Sequence, residues 1–242
     1  MKRLLLVLLA LLVFSGAVLA FLPASLALRL LPAGSPLQLQ DVRGSIWSGS
    51  VAQVRVQDRL LGGLAWQVLP LGLLRGGLEA DVQLVGEVSA RGRIERRWSS
   101  LQVRDAEAEL PAAWIEPVLA SPALRPQGEL RLRIHDAELH GKQLQSLRGE
   151  LLWQNAAVSG AVVAALGDLQ MDFASDDTGR INGHARDLGG PLQLDGGFHV
   201  TRDAYRAELR LFARDARIEP ALRWLGQPQD DGSRLLILYG KP

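Results

Sequence analysis

Between Glu129 and His135 the chain reads Glu-Leu-Arg-Leu-Arg-Ile-His, with apolar and polar residues alternating at every step. A period of two puts Leu130, Leu132 and Ile134 on one side of an extended segment and Arg131 and Arg133 on the other. That is the pattern of a strand with one dry and one wet face. The same alternation marks Leu37 to Gln40, Val54 to Gln57, Asp81 to Val85, Leu101 to Arg104, Leu147 to Trp153, Leu169 to Phe173 and Ala207 to Phe212. Glycine-containing breaks are expected between them at Gly62-Gly63, Gly76-Gly77, Asp177-Thr178-Gly179, Gly189-Gly190 and Gly196-Gly197. Many short strands with frequent turns predict a mainly β, largely antiparallel fold.

The chain opens differently. Met1-Lys2-Arg3 leads into an uncharged run from Leu4 to Leu28 that is interrupted by Pro23. Leu4 to Leu22 supplies 19 apolar or small residues, and at about 1.5 Å per residue a helix of that length spans a hydrocarbon core of about 30 Å. A cleavable secretory signal also begins with positive charge and an apolar core, and Val18-Leu19-Ala20 offers a small-residue cleavage site. The run is longer than a signal core and continues apolar past Ala20, which favours a retained transmembrane anchor over residues 1–28. Lys2 and Arg3 place its start in the cytoplasm, so the rest of the chain is expected in the periplasm, attached to a bacterial inner membrane.

Beyond the anchor, about 215 residues are enough for one large domain or two small ones. The chain has no cysteine, which excludes disulfides, thiolate metal sites and thiol nucleophiles. Of its 27 basic residues 24 are Arg, spread along the chain and interleaved with 26 acids. A nucleic-acid partner is not expected, because such a binder concentrates basic excess on one face.

Two segments read as short helices. Leu110 to Leu119 places Pro111 at a first helical position with Trp114 and Val118 on one face. Ile218 to Gly226 puts Ile218, Leu222 and Leu225 on one face and ends at Gly226. Both follow an alternating strand and carry Ile-Glu-Pro near a Trp, which marks them as equivalent points in an imperfect repeat. A single sheet of a dozen strands would strain against its twist. The expected architecture is therefore a curled antiparallel β-roll or sandwich with two pseudo-repeated halves, residues 29–126 and 127–242, and short end helices.

The strongest local motif is Arg43-Gly44-Ser45-Ile46-Trp47-Ser48-Gly49-Ser50. Gly44 and Gly49 permit backbone conformations closed to other residues, and Trp47 brings a large apolar body; together with Ser48 they form a candidate packed turn. It is followed by Leu64-Ala65-Trp66-Gln67-Val68-Leu69-Pro70, by Gly76-Gly77-Leu78-Glu79, and near the end by Asp187-Leu188-Gly189-Gly190-Pro191 and Trp224-Leu225-Gly226. In this order behind an N-terminal anchor, these landmarks resemble the type II secretion system protein N family of Gram-negative bacteria. The resemblance implies a bitopic inner-membrane component with a periplasmic β-rich domain. Its expected partners are the inner membrane and other components of the apparatus that passes folded proteins through an outer-membrane secretin. It supplies no catalytic residues.

Chemistry read from the residues agrees with a non-enzymatic component. Ser48 has Ile46 where a nucleophile elbow needs glycine, so a structural turn is the better reading. His135, His140, His184 and His199 have no metal-ligand spacing, and His135 and His140 are expected to face solvent. Asp176-Asp177 and Asp230-Asp231 lack the alternating ligands of a calcium loop and read as turn residues. No cofactor and no metal are expected. Arg91, Arg93, Arg96 and Arg97 beside Trp98 form a basic group that acids dilute.

The terminal run Leu235-Leu236-Ile237-Leu238-Tyr239 lacks alternation. It is either a strand buried on both faces or a candidate interaction edge awaiting a partner. An alternative function is a lipid-binding or lipid-transfer module, in which the apolar strand faces line a groove.

Overall fold

The computed structural model describes residues 23–25, 37–56, 59–74, 76–116, 124–141, 143–160, 163–223 and 225–240. The mainly β, antiparallel expectation holds, but the expectation that a dozen strands would not stay in one sheet is corrected: the strands form a single sheet of fourteen. Fourteen strands, β1 to β14, follow the order β1 through β12 in sequence and then β14 and β13. Among the described residues no helix is long and apolar enough to cross a membrane; the Leu4 to Leu22 run lies outside them.

The chain divides into two compact units, residues 1–91 and 92–242. The boundary falls within β5 (Ser89–Arg97), while Gln127 lies inside β7.

The first unit holds β1 (Leu37–Gly44), β2 (Ser48–Val56), β3 (Arg59–Leu69), the short helix α1 (Pro70–Leu74) and β4 (Gly77–Val85). β1 to β4 pair as consecutive antiparallel neighbours. Val51, Val54, Val68 and Val88 are buried. Gly62-Gly63 is not a break but lies within β3, where the β2–β3 register shifts between Val51 and Val54. The glycines accommodate a bulge, so the chain passes them without turning.

The second unit continues with β6 (Ser100–Pro111), β7 (Leu124–His140), β8 (Gln143–Gly160), β9 (Ala164–Ser175), β10 (Ile181–Asp187), β11 (Leu192–Val200), β12 (Tyr205–Ala213), the two-residue β13 (Gln227–Pro228) and β14 (Arg234–Gly240). The alternation around Leu130 holds. Leu130 is 2% exposed, and Arg131 on the opposite face is exposed and ion-paired with Glu109 at 2.8 Å. Gly196-Gly197, expected as a break, lies inside β11 opposite Leu209 and Glu208. A Cβ at Gly196 would meet the Glu208 carbonyl oxygen, so close approach of two backbones explains this glycine. Asp105 and Asn155 adopt positive φ values of 48° and 49°. Asp105 lies between the pairs Arg104↔Asp136 and Ala106↔Ile134, across which the β6–β7 register is unchanged, and Asn155 lies within the β8–β9 shift; among residues with a side chain, short polar ones tolerate this left-handed conformation best.

Core packing of the second unit is concentrated on one sheet face. Leu130, Trp153, Leu169, Leu192, Leu194 and Leu211 pack with Ala112, Ile218, Ala221 and Leu222 from the short helices. The Trp153 indole N–H donates to the Gln127 carbonyl at 2.9 Å. The helix expected from Leu110 is corrected in its start and type. Leu110 and Pro111 end β6, and Ala112–Ile115 is a 3-10 helix, because Pro111 keeps an extended ψ of 141°. Val118 lies outside the described residues. The second segment is a 3-10 turn at Ala216–Ile218 followed by α2 (Glu219–Leu222). It buries Ile218 and Leu222 with Leu225 packed beside them, as the helical spacing predicts.

Candidate functional site

The Gly44 to Gly49 motif forms the turn between β1 and β2. Gly44 has φ +92°, a conformation that a side chain would strain. Ser45 organises the turn: its N–H donates to the Ser48 carbonyl at 2.9 Å, and its Oγ accepts the N–H groups of Trp47 and Ser48, each at 3.2 Å. The hydroxyl thus satisfies turn donors that would otherwise lack partners.

Two long-range contacts fix the turn on its neighbours. The Trp66 indole N–H donates to the Ile46 carbonyl at 3.2 Å, and the Val68 N–H donates to the Trp47 carbonyl at 2.6 Å. Gly49 pairs with Trp66 across β2 and β3. A Cβ on Gly49 would lie 2.4 Å from the indole Cζ2, so the ring occupies the space that the glycine leaves. The motif's own aromatic is Trp47, but the ring that fills this space is Trp66 from β3. Its position is visible in the Leu64–Val68 alternation, but its register against Gly49 is not.

The turn also receives the segment that follows the apolar run. Pro23 bridges to Ser45, and the Ala24 N–H donates to the Gly44 carbonyl at 3.0 Å while Ala24 is buried. Ser48 is exposed, and among the described residues it has no hydrogen bond to a histidine or carboxylate. The arrangement is a socket for backbone, without the base that would activate a hydroxyl.

In the second unit the candidate edge is β14. It pairs with β12 from Tyr205↔Gly240 to Leu211↔Arg234. On its other side, among the described residues, β13 covers only Leu235 and Arg234. Ile237, Leu238 and Tyr239 are 40, 44 and 80% exposed, which decides against burial on both faces. Leu235, Ile237 and Tyr239 stand beside Arg210, Glu208 and Arg206 of β12, and Leu236 and Leu238 beside Leu209 and Ala207. Both faces of β14 are therefore apolar, although one continues a charged row. Arg234 holds the start of the strand, donating to the carbonyls of Leu225 at 2.7 Å, Arg223 at 2.9 Å and Gly226 at 3.0 Å. These are carbonyls at the end of α2 and the turn after it.

Other groups take structural positions. Among the described residues no three His, Cys, Asp or Glu side chains gather as metal ligands. His135 and His140 are exposed, and His184 Nε2 lies 3.0 Å from Asp195. Asp176 closes the β9–β10 turn by accepting from the Thr178 hydroxyl at 2.6 Å and the Thr178 N–H at 2.9 Å. The Thr178 hydroxyl above all holds the Asp176 carboxyl down at about 2; desolvation opposes it, and the N–H groups of Thr178 and Arg180 and the Asn182 side chain add to the lowering. Asp231 accepts from the Ser233 N–H at 2.9 Å in the turn before β14. Both acidic pairs thus contribute turn residues. Burial raises the Asp187 carboxyl, but Arg214 and the N–H groups of Leu194 and Gly189 outweigh it and lower the pKa. Trp98 lies exposed in the β5–β6 turn, and Arg97 beside it is paired with Glu95 at 2.5 Å.

Comparison with known proteins adds a family to this geometry. Residues 35–236 match the family model for type II secretion system (T2SS), protein N. Type II secretion system protein N of Vibrio cholerae serotype O1 is 31% identical over 172 residues, covering 69% of this chain and 68% of the relative. Type II secretion system protein N of Aeromonas hydrophila is 28% identical over 183 residues, covering 73% of each chain. No solved structure matches the chain.

Proposed function

This chain belongs to the type II secretion system protein N family, and from that membership we propose that it is a non-enzymatic, inner-membrane-anchored periplasmic component of the secretion system that supports export by binding other components. The observation that carries the binding role is β14, an apolar strand whose outer side is covered over two residues only among the described residues. An uncovered strand offers backbone donors and acceptors in register, and strand addition uses them directly. The occupant is an extended segment of a secretion-system component.

The Gly44 to Gly49 turn supports the anchored arrangement. It grips Pro23 and Ala24, the residues directly after the Leu4 to Leu22 run, and so joins the proposed anchor to the β structure by backbone bonds. Type II secretion system components are the proposed partners, and the inner membrane is the proposed site of attachment.

A photo-crosslinking residue at Leu238 or Tyr239, in cells carrying the whole secretion system, tests the reading. Capture of a secretion component, together with reduced export when Ile237 and Tyr239 are changed to Lys, is the expected result. Normal export in a deletion strain, with no secretion component captured, would remove the reading.

A lipid-handling role draws on a different observation. Ile134, Phe173, Phe198 and Leu238 lie along one cross-strand line of the second unit and are only partly covered. Mass spectrometry of protein purified without detergent decides between the two: stoichiometric lipid favours the groove, and its absence favours a packed interaction module.

A further inference from the structure

The window open on β14 is set by its neighbours. β13 pairs with Arg234 and Leu235, which leaves Leu236 to Gly240, five positions centred on Leu238. No charged residue falls in the window. Ile237 and Tyr239 occupy one face, and Leu236, Leu238 and Gly240 the other. An incoming strand must therefore tolerate apolar neighbours on both of its faces. On the covered side β12 sets Glu208 and Arg206 beside Ile237 and Tyr239, so an apolar strand on the open side supplies the apolar neighbours that β12 does not.

Resting on the reading of β14 as a strand-addition site, we propose that the strand it accepts is β14 of a second copy of this chain, antiparallel, about a two-fold axis through Leu238. In that register Leu238 faces Leu238, Ile237 faces Tyr239 in both directions, and Leu236 faces Gly240. Every cross-strand pair is apolar or involves glycine, so no charge is desolvated without a partner. Ile237 with Tyr239 is a β-branched residue against an aromatic, one of the favourable pairs on a sheet surface. The same patch serves both copies, which is the isologous contact of a two-fold dimer. The position of β13 also selects the register, because sliding the strands to lengthen the ladder would run one copy into the β13 of the other. Tyr239, the most exposed residue of the strand at 80%, gains most from the pairing.

The lack of native cysteine makes the test direct. Single-cysteine variants of the full chain are expressed in intact cells of the native host and treated with a mild oxidant. Opposed residues on antiparallel strands have Cβ atoms about 5 Å apart, close enough for a disulfide with small adjustment. Leu238→Cys is expected to yield a disulfide-linked dimer at least fivefold more than Leu188→Cys, an exposed position in the β10–β11 loop. Differently tagged Ile237→Cys and Tyr239→Cys chains are expected to link to each other severalfold more than either links to itself. Thermal melts of the reduced variants verify folding.

Equal yields from Leu238→Cys and Leu188→Cys would overturn the proposal. If the crosslinker at Leu238 then captures a different secretion component, strand addition stands with another partner and only the second-copy assignment falls. If it captures none and export is unaffected by the lysine substitutions, strand addition at β14 falls as well.

Discussion

The Trp66 indole lies against Gly49, its N–H bonded to the Ile46 carbonyl at 3.2 Å. One side chain thereby fills the space above a glycine and satisfies a carbonyl in the turn that the glycine closes. Gly49→Val is expected to destabilise the first unit by about 1–3 kcal/mol through overpacking against the ring. Urea denaturation followed by Trp fluorescence measures this. A Trp66→Leu background should absorb the part of the penalty due to the ring, leaving the part due to the Arg43 carbonyl, which a Cβ at Gly49 would meet at 2.7 Å; strict additivity of the two substitutions would show that the residues are not coupled.

The two faces of β7 carry different stabilities. Leu130→Ala removes a side chain that is 2% exposed and should cost about 2–5 kcal/mol. Arg131→Ala on the wet face breaks an ion pair whose side chains are 44 and 55% exposed, and should stay within about 0.5 kcal/mol. Chemical denaturation midpoints compare them, and similar costs would contradict the face assignment.

The Asp176 carboxyl, lowered from 3.8 to about 2, stabilises the β9–β10 turn when ionised. A depressed folded pKa favours folding above the unfolded value, and that contribution fades as pH falls from about 4 through about 2. Asp215 is likewise lowered to about 2, chiefly by its hydrogen bond with Arg217. Thermal midpoints recorded across this window should fall more steeply for the parent than for Asp176→Asn. Parallel curves would show that the turn does not depend on the charge.

Lysine at Ile237 or Tyr239 should leave the fold intact, since the two positions are 40 and 80% exposed. The expected stability change is within about 0.5 kcal/mol. The lysine protects the strand edge and should lower self-association, which light scattering over a concentration series reads. Loss of the folded state would instead show that the edge is part of the core.

Much of the architecture is legible in alternation. The segments around Leu39, Leu130, Leu151, Met171 and Leu209 are strands, because burial of one face requires a period of two, and that period is local information. The acidic turns are legible for the same reason: Asp176 bonds residues two and four positions ahead. The helix expected from Leu110 starts later than the sequence suggests because Pro111 suits a helix start and the last residue of a strand equally well. Only the tertiary surroundings separate the two. Of the candidate site, the Gly44–Gly49 turn and the β14 edge were visible as departures from alternation, but Trp66 and Arg234 were not. Their roles depend on carbonyls, Ile46 for the one and Leu225 and Arg223 for the other, that folding brings beside them.

By itself, the sequence determined which segments extend, which of their faces are apolar, and which family's order of landmarks the chain follows. The tertiary structure decided what each strand meets: that Gly62 and Gly196 lie inside strands, that Trp66 covers Gly49, and that β13 stops after two residues and leaves the rest of β14 open among the described residues. Side-chain direction along a strand is set by neighbours one residue apart. Register and edge position are set by residues that meet only when distant parts of the chain pair, and no local pattern encodes them.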